Sequence, residues 1–322
     1  MHSRILLSQS IQELIRCPVC KSKLKRLGNQ LRCLDSACGT LFPIVEGVPI
    51  LINEKESVFS TDDIVQRCSV TINVSRSTFR KIATNLVPSI GRNIKSKNHY
   101  DTFSELLLRQ SNTPRVLVLG GSIVGQGMGS VLSRASHELI ETDVLLGPRT
   151  ALVCDAHDIP FADESFEGVI IQAVLEHVVD PYRCVEEIHR VLKKEGLVYA
   201  ETPFMQQVHA GRYDFTRFTH LGHRRLFRRF EEIDSGAVCG PGMALAWAYH
   251  YFLLSFAQSR ISKRLLQTFA CFTSFYLKYF DYLLINKPGA LDAASGYYFL
   301  GLKSSHVLAD RDLIKLYRGG QS

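Results

Sequence analysis

The stretch Val116-Leu117-Val118-Leu119-Gly120-Gly121-Ser122-Ile123-Val124-Gly125-Gln126-Gly127-Met128-Gly129 opens with an unbroken apolar run and ends in spaced glycines. A continuous apolar run marks a strand buried on both faces, as in parallel sheets covered by helices. Glycines directly after such a strand let the backbone approach a nucleotide-like ligand. Taken alone the stretch is weak evidence, and its weight comes from the strands and acidic residues downstream. Leu139–Asp143, Ala151–Cys154, Gly168–Ala173 and Leu197–Ala200 read as further short strands, with Phe230–Ile233 and Tyr297–Leu302 as the sixth and seventh. Residues 182–193 read as a helix with Val185, Ile188, Val191 and Leu192 on one face. This alternation predicts an α/β fold with a doubly wound, mostly parallel sheet of seven strands. Only Val144–Thr150 joins the second and third strands. A parallel crossover ordinarily takes a dozen or more residues, so a loop is expected there in place of a helix.

Four cysteines precede this region, as Cys17-Pro18-Val19-Cys20 and Cys33-x4-Cys38 with twelve residues between the pairs. Zinc takes four tetrahedral ligands, and a Cys-x2-Cys knuckle presents two thiolates from one tight turn. Cys17, Cys20, Cys33 and Cys38 are therefore the expected ligands of a structural zinc; free thiols or a disulfide are the alternatives. The other five cysteines are scattered, several in apolar runs. A tight cluster plus isolated apolar cysteines reads as a metal site in a reducing compartment, so a cytoplasmic protein is expected. The first residues contain no long apolar run of the signal-peptide kind. The cysteine cluster continues into Gly39-Thr40-Leu41-Phe42-Pro43-Ile44-Val45-Glu46-Gly47-Val48-Pro49-Ile50-Leu51. Across about residues 8–53 the chain resembles the small zinc-ribbon protein that activates tRNA, rRNA and release-factor methyltransferases. That resemblance implies a ribbon that binds and stabilises a methyltransferase, here fused to it.

Downstream of the glycines, Asp143 closes the second strand about 23 residues after Gly120. A carboxylate at that position can accept hydrogen bonds from both hydroxyls of a ribose. Next in the chain come Asp155-Ala156-His157-Asp158-Ile159-Pro160-Phe161, Asp163-Glu164-Ser165-Phe166-Glu167 and Val174-Leu175-Glu176-His177-Val178. Over roughly 115–204 this series resembles the type 11 group of class I S-adenosylmethionine-dependent methyltransferases. The resemblance implies a Rossmann-like methyltransferase sheet and an S-adenosylmethionine site. Gly120 and Gly121, with Gly125, would line its methionine end, Asp143 its ribose, and Asp155 with Ala156 its adenine. Gln172, Glu176 and His177 would lie beside the sulfonium. Two positions depart from the group's pattern: Val118 stands where an acidic residue is usual, and Ser122 where a second glycine is usual. A nicotinamide dinucleotide is the alternative cofactor. The spacing Gly120-x4-Gly125 departs from its fingerprint, and Asp155-Ala156 has no role in that reading.

Loops at the carboxyl ends of parallel strands carry ligand contacts. After the fifth strand the chain reads Glu201-Thr202-Pro203-Phe204, then His209 and Tyr213-Asp214-Phe215-Thr216-Arg217-Phe218-Thr219. The last string resembles a segment that borders the acceptor pocket in many methyltransferases of this group. His177, His209, Tyr213, Asp214 and Arg217 are the candidate catalytic residues; a structural Asp–Arg pair is the alternative for the last two. Methyl transfer is an in-line displacement that rests on positioning and exclusion of water, with a base needed only if the acceptor loses a proton.

The net charge is +7 with a pI near 8.9, which favours an anionic partner but falls short of the clustered charge of a dedicated nucleic-acid binder. The basic run His223-Arg224-Arg225-Leu226-Phe227-Arg228-Arg229 reads as a solvated helix face or a phosphate site. About 60 residues separate the sixth and seventh strands, with Leu265, Phe269, Phe272, Tyr276, Tyr279 and Leu283 at helical spacing. A helical insert over about 240–293 is expected. It would pack on the domain or, through 240–290, dock on a membrane surface or a second subunit. Within it 244–257 is too short to span a bilayer, and 265–286 is interrupted by Lys278 and Asp281. The expected organisation is a zinc ribbon over 1–55, a linker with short helices over 56–98, and a methyltransferase domain over 99–322. The favoured acceptor is a small or carrier-linked molecule, related to a glycan or a lipid. RNA or a translation factor is the second reading, and a non-catalytic binding module the third. The oligomeric state stays open.

Overall fold

The computed structural model describes residues 5–71, 87–134 and 136–321. The apolar run is strand β5 (Arg115–Leu119), at the centre of the sheet. In chain order the other strands are β1 (Leu24–Leu27), β2 (Gln30–Cys33), β3 (Leu41–Val45), β4 (Val48–Leu51), β6 (Glu138–Asp143), β7 (Leu152–Cys154), β8 (Phe166–Gln172), β9 (Leu192–Pro203), β10 (Phe230–Cys239) and β11 (Gly296–Lys303). Among the described residues the eleven strands lie in the order β1-β2-β3-β4-β7-β6-β5-β8-β9-β11-β10. The run β7-β6-β5-β8-β9 is parallel, and β11 then pairs antiparallel with both β9 and β10. This is the expected seven-stranded, doubly wound core.

Alternate residues of the central strands serve two cores, as the period of two requires. Leu117, Leu119, Val169, Ile171, Val198 and Ala200 face one side, where helix Pro181–Val191 packs Cys184, Val185, Ile188 and Val191. Val116, Val118, Ile170, Leu197 and Tyr199 face the other, against Tyr100, Phe103 and Leu107 of helix Ser96–Gln110. Helix Pro181–Val191 starts where Asp180 accepts from the amides of Tyr182 and Arg183, with proline in its first turn. It stops at Val191; Leu192, expected on its face, is extended and pairs with Phe166.

Between β6 and β7 the chain forms no helix. Strand β7 pairs with β6 only at Thr142↔Leu152 and Asp143↔Val153. The chain therefore backs up by only one or two residues, roughly 3–7 Å, not by a full strand length, and a loop suffices.

The N-terminal segment joins this sheet. Strand β4 pairs parallel with β7 at Ile50↔Val153 and Leu51↔Cys154. The Arg16 amide donates to the Pro160 carbonyl (2.9 Å), and the Ala162 amide to the Leu14 carbonyl (2.9 Å). Ile11, Ile15, Phe42 and Ile44 pack in the same cluster as Ile159, Phe161 and Phe166. Sheet and core thus run on across residue 55. Of the expected linker, Thr61–Thr71 is helical and Ser96 opens the next helix; residues 72–86 lie outside the described residues.

The insert between β10 and β11 is helical, with Pro241–Leu254 and Arg260–Ser274 as its long elements. The amides of Gly242 (2.7 Å) and Met243 (3.0 Å) donate to the carboxylate of Asp281, which satisfies the open end of the first helix. Leu265, Phe269, Phe272, Tyr276, Tyr279 and Leu283 are all exposed. The apolar stripe therefore points away from the domain. No helix among the described residues is long and apolar enough to cross a membrane.

Candidate active site

The site grows from the carboxyl ends of β5, β6, β8 and β9. Gly120 turns the chain off β5 with φ +78°, and a methyl group there would meet Val174 Cγ2 at 2.4 Å. The amides of Gly120 and Gly121 both donate to the Thr142 carbonyl (2.9 Å). The α-carbon of Gly121 faces the Glu141 side chain, whereas Gly120 and Gly125 border a large cavity. At Gly125 a Cβ would fall 1.5 Å from Gln172 Oε1. Gln172 is fixed there. Its Oε1 accepts from the Tyr100 hydroxyl (3.0 Å), and its amide donates to Glu201 (2.6 Å) and to the Gln126 carbonyl (3.3 Å). Buried Glu201 also accepts from Tyr199 (2.5 Å), Ser96 (2.7 Å) and Asn93 (2.9 Å). Burial raises its carboxyl, and these donors act against the rise.

Asp143 ends β6 on the cavity wall, where it accepts from the amides of Ser122 (3.1 Å) and Leu145 (3.0 Å). Glu141, two residues earlier, turns to Arg149 instead (2.6 Å). Asp155 is buried, and Ala156 lies beside it on the same wall. One Asp155 oxygen accepts from the amide and ring Nδ1 of His157 (3.1 and 2.5 Å); the other accepts from the Ser57 hydroxyl (2.5 Å). Burial works to raise this carboxyl, but His157 and Ser57 outweigh it and hold it below the usual range.

These groups border one cavity of about 830 Å³, towards the upper end of the roughly 300–1,000 Å³ of small-molecule sites. It runs from Gly120 and Asp143 past Gln172 to Glu176, His177, His209 and Tyr213. Its remaining wall comes from segments that read in the sequence as linker or insert: Val58 and Phe59, Ile90 to Asn93, and Met243 and Trp247. Phe59 stacks on Tyr213 (centroids 5.5 Å apart), and the Tyr251 hydroxyl donates to the Val208 carbonyl (2.8 Å). None of these residues was singled out by the sequence, because no spacing connects them to the glycines.

The structure brings all five candidate catalytic residues together. Arg217 forms a two-pronged pair with Asp214 and donates to the carbonyls of Gln206, Thr216 and Gln207. Asp214 also accepts from the His209 amide (2.9 Å). Burial would raise Asp214, but Arg217 and that amide hold it at about 2. Asp214 and Arg217 are thus a clamp on loop 206–217. The loop is tied to the next segment by Phe215 and Thr216 amides donating to the Glu176 carbonyl (2.8 and 3.2 Å). His177 and His209 face one another, Nε2 to Nε2, at 3.1 Å. Glu176 lies beneath them without exposure, and burial pushes its carboxyl up to about 8. Burial likewise lowers His177.

The four cysteines close on one point. Cys17 and Cys38 sulfurs are 3.8 Å apart, Cys20 and Cys33 sulfurs 3.4 Å, and all four lie within 4.8 Å of one another. Bonds of about 2.3 Å to a tetrahedral ion give sulfur–sulfur edges of about 3.8 Å. The cluster has the geometry of a four-thiolate metal site.

Residues 126–200, which span β8, helix Pro181–Val191 and most of β9, match the methyltransferase domain family. The chain carries a class I S-adenosylmethionine-dependent methyltransferase domain. Its N-terminal unit belongs to the UPF0434 family. It is 38% identical over 50 residues to the UPF0434 protein of Vesicomyosocius okutanii, covering 16% of this chain and 81% of that one. It is 26% identical over 55 residues to the UPF0434 protein of Pseudomonas savastanoi, covering 17% and 90%. Among solved structures, the methyltransferase is similar to Haemonchus contortus phosphoethanolamine N-methyltransferase 2 with S-adenosyl-L-methionine. The identity is 14%, the coverage 88% of this chain and 71% of that one, and the TM-score 0.42. It is also similar to a complex of the Haloferax volcanii Trm112 methyltransferase activator with a methyltransferase (18% identity, 72% and 100% coverage, TM-score 0.34).

The basic run of the methyltransferase is largely paired within the fold. His223 and Arg224 are buried, Arg224 bonds Glu232 (2.8 Å), and Arg225 and Arg228 both reach Asp310 (3.2 and 3.3 Å). Arg225 and Arg229 keep solvent exposure, so the run is a partly solvated face whose other half belongs to the core.

Proposed function

We propose that this methyltransferase modifies a small or carrier-linked acceptor, related to a glycan or a lipid. The observation that carries the reading is the single cavity, continuous from the glycine loop to the His177–His209 pair and roofed by Met243 and Trp247. The residues suit S-adenosylmethionine: Gly120 and Gly125 leave room no side chain could share, and Asp143 offers carboxylate oxygens on the wall. Ala156 and Gln172 border the same space. The cofactor supplies a methyl carbon on a positively charged sulfur. Asp155 would read the adenine once the Ser57 hydroxyl yields its place. On the acceptor side the clamped loop 206–217 fixes His209 and Tyr213 and keeps water out. The four cysteines would hold a structural zinc in a reducing compartment such as the cytoplasm. The division into 1–55, 56–98 and 99–322 is kept as a division of labour between ribbon, wall-forming linker and catalytic sheet.

Transfer of radiolabelled methyl groups to fractionated small metabolites, glycolipids and bulk RNA separates the acceptor classes. Label in the small-molecule or glycolipid fraction is expected. Submicromolar binding to bulk RNA that falls steeply with salt, and that Arg229→Ala with Arg225→Ala abolishes, would replace this reading. A membrane-borne acceptor is favoured by one further observation. The exposed stripe of helix Arg260–Ser274 is flanked by exposed Arg260, Lys263 and Arg264, the pattern of a helix lying on an anionic lipid surface.

A further inference from the structure

The acceptor end of the cavity brings three bases together. Glu176 is fully buried, and among the described residues neither of its carboxylate oxygens has a hydrogen-bond partner. His177 Nδ1 lies 2.8 Å from the Tyr213 carbonyl, which can only accept, so Nδ1 carries the proton and Nε2 presents its lone pair. His209 Nδ1 faces the Gln207 carbonyl (3.4 Å) and the Asp214 carboxylate (3.5 Å), acceptors again, so its Nε2 is likewise turned inward as a lone pair. The two Nε2 atoms are 3.1 Å apart and lie 3.6 and 3.7 Å from one oxygen of Glu176. An unpartnered buried carboxylate and two converging lone pairs cost free energy unless something positive sits among them.

We propose that Glu176, His177 and His209 bind a first-row divalent cation at the acceptor end of the cavity, separate from the four-cysteine centre. The separations of 3.1, 3.6 and 3.7 Å bracket the edge of about 3.3–3.4 Å expected for a tetrahedron built on bonds of 2.0–2.1 Å. Both imidazoles point their far nitrogens at a carbonyl or carboxylate, the arrangement that fixes tautomer and ring orientation at metal sites. Loop 206–217 is locked by Arg217 and by the amides of Phe215 and Thr216 on the Glu176 carbonyl, so the ligand from the second loop is held in advance. Two imidazoles and a carboxylate select zinc, iron or cobalt over magnesium or calcium. His177 and His209 are partly exposed to the cavity, which leaves a coordination position open. Resting on the small-acceptor reading, that position takes an oxygen of the acceptor. The bound hydroxyl gives up its proton to solvent, its oxygen lone pair forms the new bond to the methyl carbon, and the carbon–sulfur pair returns to sulfur. The acceptor class is then a hydroxylated or carboxylated molecule able to ligate a cation.

The test is cobalt(II) titration of chelator-stripped protein, followed by visible absorption. The four-cysteine centre gives thiolate charge-transfer bands; the second centre gives only weak visible bands. Two equivalents per chain are expected for the wild type. His209→Ala and Glu176→Gln should each bind one equivalent and keep the thiolate bands, which also report that the fold survives. A wild type that stops at one equivalent overturns the proposal, since a proton shared by the two imidazoles would then fill the gap. Retention of the second equivalent by both variants overturns it equally. Calorimetry with S-adenosylmethionine on the protein as purified tests the cofactor site on its own, so a failure there is distinguishable from a failure of the cation count.

Discussion

Gly125 occupies a position where any side chain collides with Gln172, and Gln172 in turn holds Glu201. Gly125→Ala should therefore break the Gln172–Glu201 contact and weaken S-adenosylmethionine about tenfold or more, as seen by calorimetry. The figure follows from losing charge-assisted hydrogen bonds of roughly 1.5–3 kcal/mol. Asp143→Ala should cost a similar factor, because it frees the Ser122 and Leu145 amides as well as removing the carboxylate from the wall. Unchanged affinity in both variants would remove these residues from the cofactor site. Arg217 acts at one remove from the cavity, through Asp214 and three carbonyls. Arg217→Ala should lower kcat by about a hundredfold, the cost of misplacing a reacting group by an ångström. The cofactor Kd should stay within about twofold. An equal loss in both constants would place Arg217 on the cofactor instead.

At the scale of elements, the insert makes a prediction of its own. Helix Arg260–Ser274 is capped by Ser259 and turns Ile261, Leu265, Phe269 and Phe272 outward while burying Ala270, Cys271 and Ser274. Leu265→Glu with Phe269→Glu should leave the melting temperature within a few degrees and reduce cosedimentation with phosphatidylserine-containing vesicles about tenfold or more. Equal sedimentation of wild type and variant would count against lipid contact. The sequence made the central strands legible because burial on both faces writes a continuous apolar run, and made the cysteine cluster legible because its members are local. It left β10 short, since Asp234, Ser235 and Gly236 break the apolar pattern although they pair with Leu300, Phe299 and Tyr298. The glycine loop and Asp143 could be located by interval alone. The walls supplied by Val58, Phe59, Ile90, Met243 and Trp247 could not, because their place at the cavity depends on how distant segments dock. The converging nitrogens of His177 and His209 were visible only as two separate histidines, 32 residues apart.

Across the whole molecule, ribbon and catalytic sheet form one body: β4 extends the parallel sheet and Ile15 and Phe42 share a core with Phe161. Loss of the proposed zinc should therefore be felt throughout. Cys20→Ser removes part of a binding energy of order 10 kcal/mol, and should lower the melting point of the entire protein as one transition. Cys184→Ser, a buried thiol replaced by a hydroxyl, should cost only about 1–3 kcal/mol. Scanning calorimetry checks both. A separate early transition in Cys20→Ser, with the main one unmoved, would show the two units to be energetically independent. The pairing of Ile50 with Val153 also imposes a timetable on synthesis. Roughly a hundred residues separate these partners, so at about 5–20 residues per second the nascent ribbon waits some 5–20 seconds for its neighbour. During that interval the backbone edge of Val48–Leu51 is bare, and a bare edge recruits other strands. The cysteines come off the ribosome first, so the proposed zinc would load before the catalytic sheet exists, and cells starved of zinc should then accumulate this protein as an early aggregate.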